Sequence, residues 1–408
     1  MMASLLDMLR RNPFPVYRVL RRAWPVCRIP TRDIWVLSDY ESVKRALHDP
    51  GVFSSRAAPP GGKPLDWLIF LDPPVHTKLR AIVMRTFTPR AVASLEPRIK
   101  LLANELLDAV IARGHMDLAV DFAAQLPLLV IADLLGVPAA DRERLSRWSD
   151  AILHLSDVIY GGERAARAIA VYRAVKLEMQ PYVNGQLAER RATPKEDLLT
   201  RLVEASVDGE RLTEPEILDF FQLLLLAGSE TTTNLISNAV LCFLEYPEQL
   251  RRLRAAPELL PSAIEEVLRF RTPVQMVFRT TTCDVKLHGR TIPAGKLVLL
   301  LMGAANRDAR QFTDAARLDI TRAPNTHIAF GHGVHFCIGA ALARLEARVA
   351  LAAVLDRMDD IRMSGAGRWV PHDALNVHGP RSFPIHFTPR RAPRSRPHST
   401  EVEEAGRS

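Results

Sequence analysis

The chain has 408 residues, 48% hydrophobic and 25% charged, enough to bury a large core and too ordinary in composition for a fibrous or disordered protein. Its net charge of +8 is small for that length, and no run of aromatics interleaved with basic residues supports a nucleic-acid surface. Cys27, Cys242, Cys283 and Cys337 are far apart with no CxxC, which argues against a disulfide framework or a four-cysteine zinc site and fits a reducing cytoplasm.

The start, MMASLLDMLRRNPFPVYRVLRRAWPV, is broken by Asp7, Arg10, Arg11, Pro13 and Pro15. It offers neither a signal-peptide core nor the roughly 20 apolar residues of a membrane span, so no membrane role is expected. Residues 1–29 read as an N-terminal segment ahead of a single domain over 30–388. Alternation around Ile34, Trp35, Val36 and Leu37 predicts a strand, followed by a short helix over 40–48. Apolar residues at three- and four-residue spacing predict helices near 73–87, 90–113, 140–154, 163–191, 195–205, 213–245, 247–254, 261–271 and 338–357. A hairpin-like region over 283–301 turns at Gly289 and again at Pro293-Ala-Gly295. A third β segment is expected at 381–387, and the Pro/Arg/Ser/Glu tail 389–408 reads as disordered. The fold class is mainly α with a small β portion.

Two of these segments break local rules. Thr213 and Glu216 make a capping box, with Pro215 tolerated in the first turn, and open a helix running to about residue 245. At ~1.5 Å per residue it spans roughly 50 Å and is too apolar to lie on a surface. Its centre reads Ala227-Gly228-Ser229-Glu230-Thr231-Thr232. A mid-helix glycine costs about 1 kcal/mol relative to alanine, and a buried Glu230 needs water or a partner. Such a cluster marks a site, or else a glycine placed for close packing. Near the C-terminal end, Phe330-Gly-His-Gly-Val-His-Phe-Cys337-Ile-Gly339 runs into a strong helix former. The helix dipole and free N–H groups aimed at the sulfur favour thiolate. The loop alone permits a nucleophile, a zinc ligand or an axial ligand to heme iron.

Taken together, these residues resemble a cytochrome P450 of the soluble bacterial type, over roughly residues 30–388. The cysteine loop matches F-G-x-G-x-H-x-C-x-G at Phe330, Gly331, Gly333, His335, Cys337 and Gly339. The long helix matches [AG]-G-x-[DE]-T-[TS] from Ala227 to Thr232, Glu266 and Arg269 form E-x-x-R, and His76 and Arg80 form H-x-x-x-R. Two departures fall in the segment before the cysteine loop: Ala305-Asn-Arg-Asp308-Ala309 lacks the family's final proline, and Ala315-Ala316 replaces Pro-Asp.

The resemblance implies the P450 fold, with heme b (iron protoporphyrin IX) between the long central helix and the cysteine loop. Cys337 becomes the iron's thiolate ligand, the family's established mode, with Phe330 and Gly339 shaping the loop around the sulfur. His76 and Arg80 share a helix face and, with Arg279 and His335, become the partners of the heme propionates. Ala227 and Gly228 border the heme, with the helix distorting at Gly228 to admit O2. Glu230 and Thr231 become the proton-delivery pair. Glu266 and Arg269 become a structural ion pair with a third partner from 317–322. The substrate pocket is expected at residues 67–70 (Leu68 and Ile69 among them), Leu223, Leu226, Val274, Gln275, Met276, Val277 and Val377, with Gln275 as its polar anchor. Residues 155–190 are expected to form a mobile lid.

The implied activity is that of a heme-thiolate monooxygenase, using O2 to hydroxylate a lipophilic terpenoid, steroid, fatty acid or polyketide. No strand–GxGxxG–helix unit is present, so electrons must come from a ferredoxin or flavodoxin with its reductase. Arg344 and Arg348 are candidates for that docking face, and a monomer is expected. The alternatives are a peroxide-driven peroxygenase of the same fold, whose members lack the acid–alcohol pair that Glu230 and Thr231 supply here, and a non-catalytic heme-bearing recruitment protein. A thiol hydrolase without heme is a third.

Overall fold

The computed structural model describes residues 9–29, 33–56, 66–85, 87–155, 162–207, 209–365 and 369–390. Helices take 58% of the residues and sheets a small share. The main sheet has five strands: β1 (Val26–Ile29), β2 (Ile34–Leu37), β3 (Phe53–Ser54), β4 (Val277–Thr281) and β5 (Leu297–Leu300), in the order β1-β2-β5-β4-β3. β1 and β2 pair antiparallel, β2 and β5 parallel, and β5 and β4 antiparallel. The domain boundary expected at residue 30 therefore falls inside this sheet. Ahead of it, helix Phe14–Ala23 buries Tyr17, and the Arg307 guanidinium lies 3.6 Å from the Phe14 ring centre and 3.5 Å from that of Phe270. Residues 391–408 of the expected tail lie outside the described residues, while Pro384–Pro389 forms a strand.

Six helices position the site: α1 (Val75–Met84), α2 (Gln125–Leu135), α3 (Gly162–Ala192), α4 (Glu214–Glu245), α5 (Leu260–Phe270) and α6 (Ala340–Arg357). α4 starts at the expected capping box: Glu216 N donates to Thr213 Oγ1 at 3.4 Å, and Thr213 N donates to Glu216 Oε2 at 2.7 Å. It is buried over most of its length from Ile217 to Phe243, packed between α2 and α6. α2 was not expected. It buries Leu126, Leu128, Val130, Ile131, Ala132 and Leu135, and an apolar segment covered on every side shows no amphipathic period to read. Leu118–Leu135 is long and apolar enough to cross a membrane, and 61% of it is buried within the fold.

The distortion expected at Gly228 is not seen; α4 is helical without interruption. A Cβ at Gly228 would stand 2.6 Å from Ile131 Cδ1, so the glycine lets α2 and α4 approach closely. The close-packing explanation fits this residue. Of the expected lid, residues 162–190 belong to α3, a long helix with Pro181 inside it, whose Tyr172 hydroxyl donates to Gln222 Oε1 on α4 at 2.7 Å.

Candidate active site

The cysteine loop is tied by its own backbone. Cys337 N donates to Phe330 O at 2.9 Å, and Phe336 N to Gly333 O at 3.0 Å. Gly333 has φ +70°, and a Cβ there would meet Leu47 O at 2.9 Å, so a side chain is excluded on both grounds. Cys337 is exposed on one side and enclosed on the others, three residues before α6 begins. Burial pushes its thiol pKa up, opposed by the Gly339 N–H and the Arg80 and Arg344 charges. A cation bound at the sulfur would favour the thiolate.

Around this loop the structure gathers His76, Arg80, Arg279 and His335. Arg80 Nη2 donates to Phe336 O at 2.5 Å, and the His76 and His335 ring centres are 4.1 Å apart. His335 Nε2 lies 2.9 Å from Ser55 Oγ. Arg279, on β4, is 6% exposed and donates only to its neighbour's carbonyl, Phe278 O, at 2.7 Å. His76 is 1% exposed, and neither ring nitrogen has a partner. The crowding registers in the titration of each group. Burial first, then the Arg80 charge, holds His76 down to about 4, with Asp72 opposing. Burial, then His76 and the two arginines, brings His335 to about 3, and burial lowers Arg279 to about 10. Asp72 is itself engaged by the Ser54 hydroxyl and by Ser55 N–H at 2.7 Å. Two guanidiniums and two enclosed neutral imidazoles, with so little anion among them, call for an anionic ligand.

On α4, Ala227 is exposed midway along an otherwise buried helix. Thr231 Oγ1 donates to Ala227 O at 2.7 Å. Glu230 Oε1 accepts from Asn234 Nδ2 at 3.0 Å and lies 2.9 Å from His372 Nε2. Behind the site, Glu266 and Arg269 are fully buried and joined by two 2.8 Å bonds. Arg269 also donates to Asn306 O (2.9 Å), Ala315 O (2.9 Å) and Arg317 O (3.0 Å). Glu266 accepts from Arg322 Nε at 3.1 Å, which places Arg322 as the third partner, and from Asp319 N at 2.9 Å. These bonds hold the segment whose family prolines are missing.

A cytochrome P450 family profile matches residues 2–360. The vitamin D(3) 25-hydroxylase of Pseudonocardia autotrophica is 40% identical over 396 residues, covering 94% of this chain and 95% of that one. The cyclomarin C epoxidase CymV of Salinispora arenicola is 42% identical over 380 residues, covering 91% and 94%. The structure of CYP109E1 from Bacillus megaterium in complex with testosterone superposes with a TM-score of 0.84 at 38% identity, covering 92% and 99%. The chain is a cytochrome P450.

P450s are heme-dependent monooxygenases. The residues present fit the group: a cysteine in a glycine-shaped loop, and beside it four cationic or protonatable side chains, one with two unpartnered buried nitrogens. The other candidates of this P450 are spread over several parts of the fold. Leu68, Leu223 and Leu226 share one apolar cluster with α2 and α3, and Ile69 is 41% exposed. Val274 and Val377 meet in an antiparallel bridge, and Val277 packs against the main-sheet cluster. Gln275, the expected polar anchor, is enclosed by protein, with its Oε1 unpartnered among the described residues. It is 1% exposed, donates to Thr272 O at 2.5 Å, and backs onto Gly303, where a Cβ would sit 2.2 Å from its Oε1. Met276 turns to the N-terminal side, packing with Tyr17 and Leu301. Arg344 and Arg348 are not free either: Glu265 takes two bonds from Arg344 (2.7 and 2.8 Å), and Glu96 takes Arg348 Nη2 at 2.8 Å. Sequence reasoning missed Ser55, Asp72 and His372, because no motif marks them and only folding brings them to the site.

Proposed function

We propose that this P450 inserts one oxygen atom of O2 into a C–H bond of a lipophilic small molecule, with electrons from a ferredoxin or flavodoxin and its reductase, as a monomer in the cytoplasm. The observation that carries the reading is the cluster of two guanidiniums and two enclosed imidazoles, Arg80, Arg279, His76 and His335, beside Cys337. Cys337 would ligate the iron, and the four neighbours would hold the two propionates through charge-assisted hydrogen bonds. Bound heme supplies the iron at which O2 is reduced and one oxygen atom becomes transferable.

The chain's own contribution is orientation and proton supply. Thr231 spends its hydroxyl hydrogen on Ala227 O, which leaves its oxygen free to accept from a water beside the exposed Ala227. Glu230, held at Oε1 by Asn234, is the carboxyl that hands protons toward Thr231. Apolar residues Leu68, Leu223, Leu226, Val274 and Val377 line the substrate side and exclude water. Among steroid, terpenoid, fatty-acid and polyketide substrates, steroid-like molecules come first, because relatives of this chain hydroxylate vitamin D(3) and bind testosterone.

The test is Thr231→Ala in a ferredoxin-driven assay: hydrogen peroxide release should rise several-fold while product falls. Unchanged coupling sinks the proton-supply reading. If peroxide alone drives turnover as well as O2 with electrons does, the peroxygenase replaces it.

A further inference from the structure

Glu230, Asn234 and Asn238 stand a turn apart on one face of α4. All three meet the hairpin built from Val370–Pro371 and Pro380–Ser382. Asn238 Nδ2 donates to His378 O at 2.8 Å, and Asn234 backs so closely on Gly379 that a Cβ there would sit 2.0 Å from its Oδ1. The third contact is His372 Nε2, 2.9 Å from Glu230 Oε1. It differs from the other two. The N–H is not aimed at the oxygen, so Nε2 is enclosed without a hydrogen bond, and the pair becomes ionic when the imidazole takes up a proton. The His372 ring is 11% exposed, and the next residue, Asp373, is 48% exposed and faces Arg10 (3.7 Å) and Arg381 (3.2 Å). The Glu230 side chain is itself 17% exposed, so the imidazole covers its carboxylate on the hairpin side only.

We propose that His372 is a positioning residue of the proton relay, holding Glu230 by charge and replenishing it with protons from the Asp373 edge of the hairpin. The step balances: once the ring turns its Nε2–H onto Glu230 Oε1, the imidazolium gives that proton to the carboxylate, leaving neutral imidazole and a carboxylic acid, and solvent returns one proton to the ring. Imidazole is the side chain whose charge changes in the physiological range. The groups facing this pair are Asp150, which feels the Glu230 charge, His378 on the same hairpin with Arg271 beyond it, and Arg10 and Arg381 through Asp373. The inference rests on Glu230 and Thr231 acting as the acid–alcohol pair.

The experiment compares wild type, Glu230→Gln, His372→Gln and His372→Arg as holoenzymes, reading peroxide released per electron pair across about pH 6 to 8.5. His372→Gln should raise peroxide yield roughly three- to tenfold with the thiolate-heme spectrum intact. His372→Arg keeps a charge but holds its protons, and should be uncoupled to the same extent. Histidine NMR supplies a readout apart from turnover: the imidazole signal missing in His372→Gln should titrate at lower pH in Glu230→Gln than in wild type. Equal midpoints, a coupled His372→Arg, or an unchanged His372→Gln beside an uncoupled Glu230→Gln overturns the role of His372. If Glu230→Gln is itself fully coupled, the relay reading falls first and takes this one with it.

Discussion

An imidazole like that of His76, 1% exposed with neither nitrogen partnered, weakens the fold until an acceptor arrives. His76→Phe should therefore separate two properties. The heme-free protein should gain up to about 1 kcal/mol, because an unsatisfied buried polar group is replaced by an apolar one. Heme affinity should fall about tenfold or more, from loss of a charge-assisted bond worth roughly 1.5–3 kcal/mol. Urea unfolding of the heme-free protein and heme transfer to a scavenging globin measure the two. A variant that loses both together would make His76 a packing residue. Family resemblance marks Cys337, His335 and Arg279 as candidates in the sequence, while no motif shows which way Gln275 faces. Motif residues are constrained by the group they serve, whereas the facing of Gln275 depends on Gly303, in a segment far along the chain.

At the scale of elements, α4 was readable end to end because its capping box, its length and its break in local rules are all local facts. α2 was not, since a helix buried all round has no polar face to set its period. The two meet at Gly228 and Ile131, where sequence reasoning had left close packing and distortion open. Helix propensity alone would favour Gly228→Ala by about 1 kcal/mol. A Cβ at 2.6 Å from Ile131 Cδ1 reverses that, and overpacking should destabilise by about 1–3 kcal/mol. Ile131→Val removes the offending methyl and should recover part of the loss in the double variant. Thermal unfolding of the four proteins in that cycle decides the matter; additive effects would show that the two side chains do not compete for this space.

Across the whole molecule, the mainly α class was legible, but the entry of residues 14–29 into the fold was not. The strand Val26–Ile29 is four residues long, and the Arg307 contact with Phe14 and Phe270 joins positions far apart in sequence. Global stability carries a pH signature of this burial. Desolvation holds His76 to about 4 and His378 to about 3, so the folded heme-free chain stays neutral there while unfolded imidazoles near 6.5 take up protons. The unfolded state binds more protons in that window, so stability is full above about pH 6.5 and is lost as pH falls through about 4. Urea midpoints from about pH 7 to 4.5 should fall steadily, and less steeply in His76→Phe. A flat wild-type profile would mean these imidazoles titrate normally.

The central claim is that Cys337 ligates heme iron. The direct measurement is the absorption spectrum of the reduced, carbon-monoxide-treated holoprotein, wild type beside Cys337→Ser. Wild type should show the strongly red-shifted Soret band of a thiolate heme, and the variant should lose it. A wild-type spectrum without that band, or a band that survives in Cys337→Ser, would contradict the assignment.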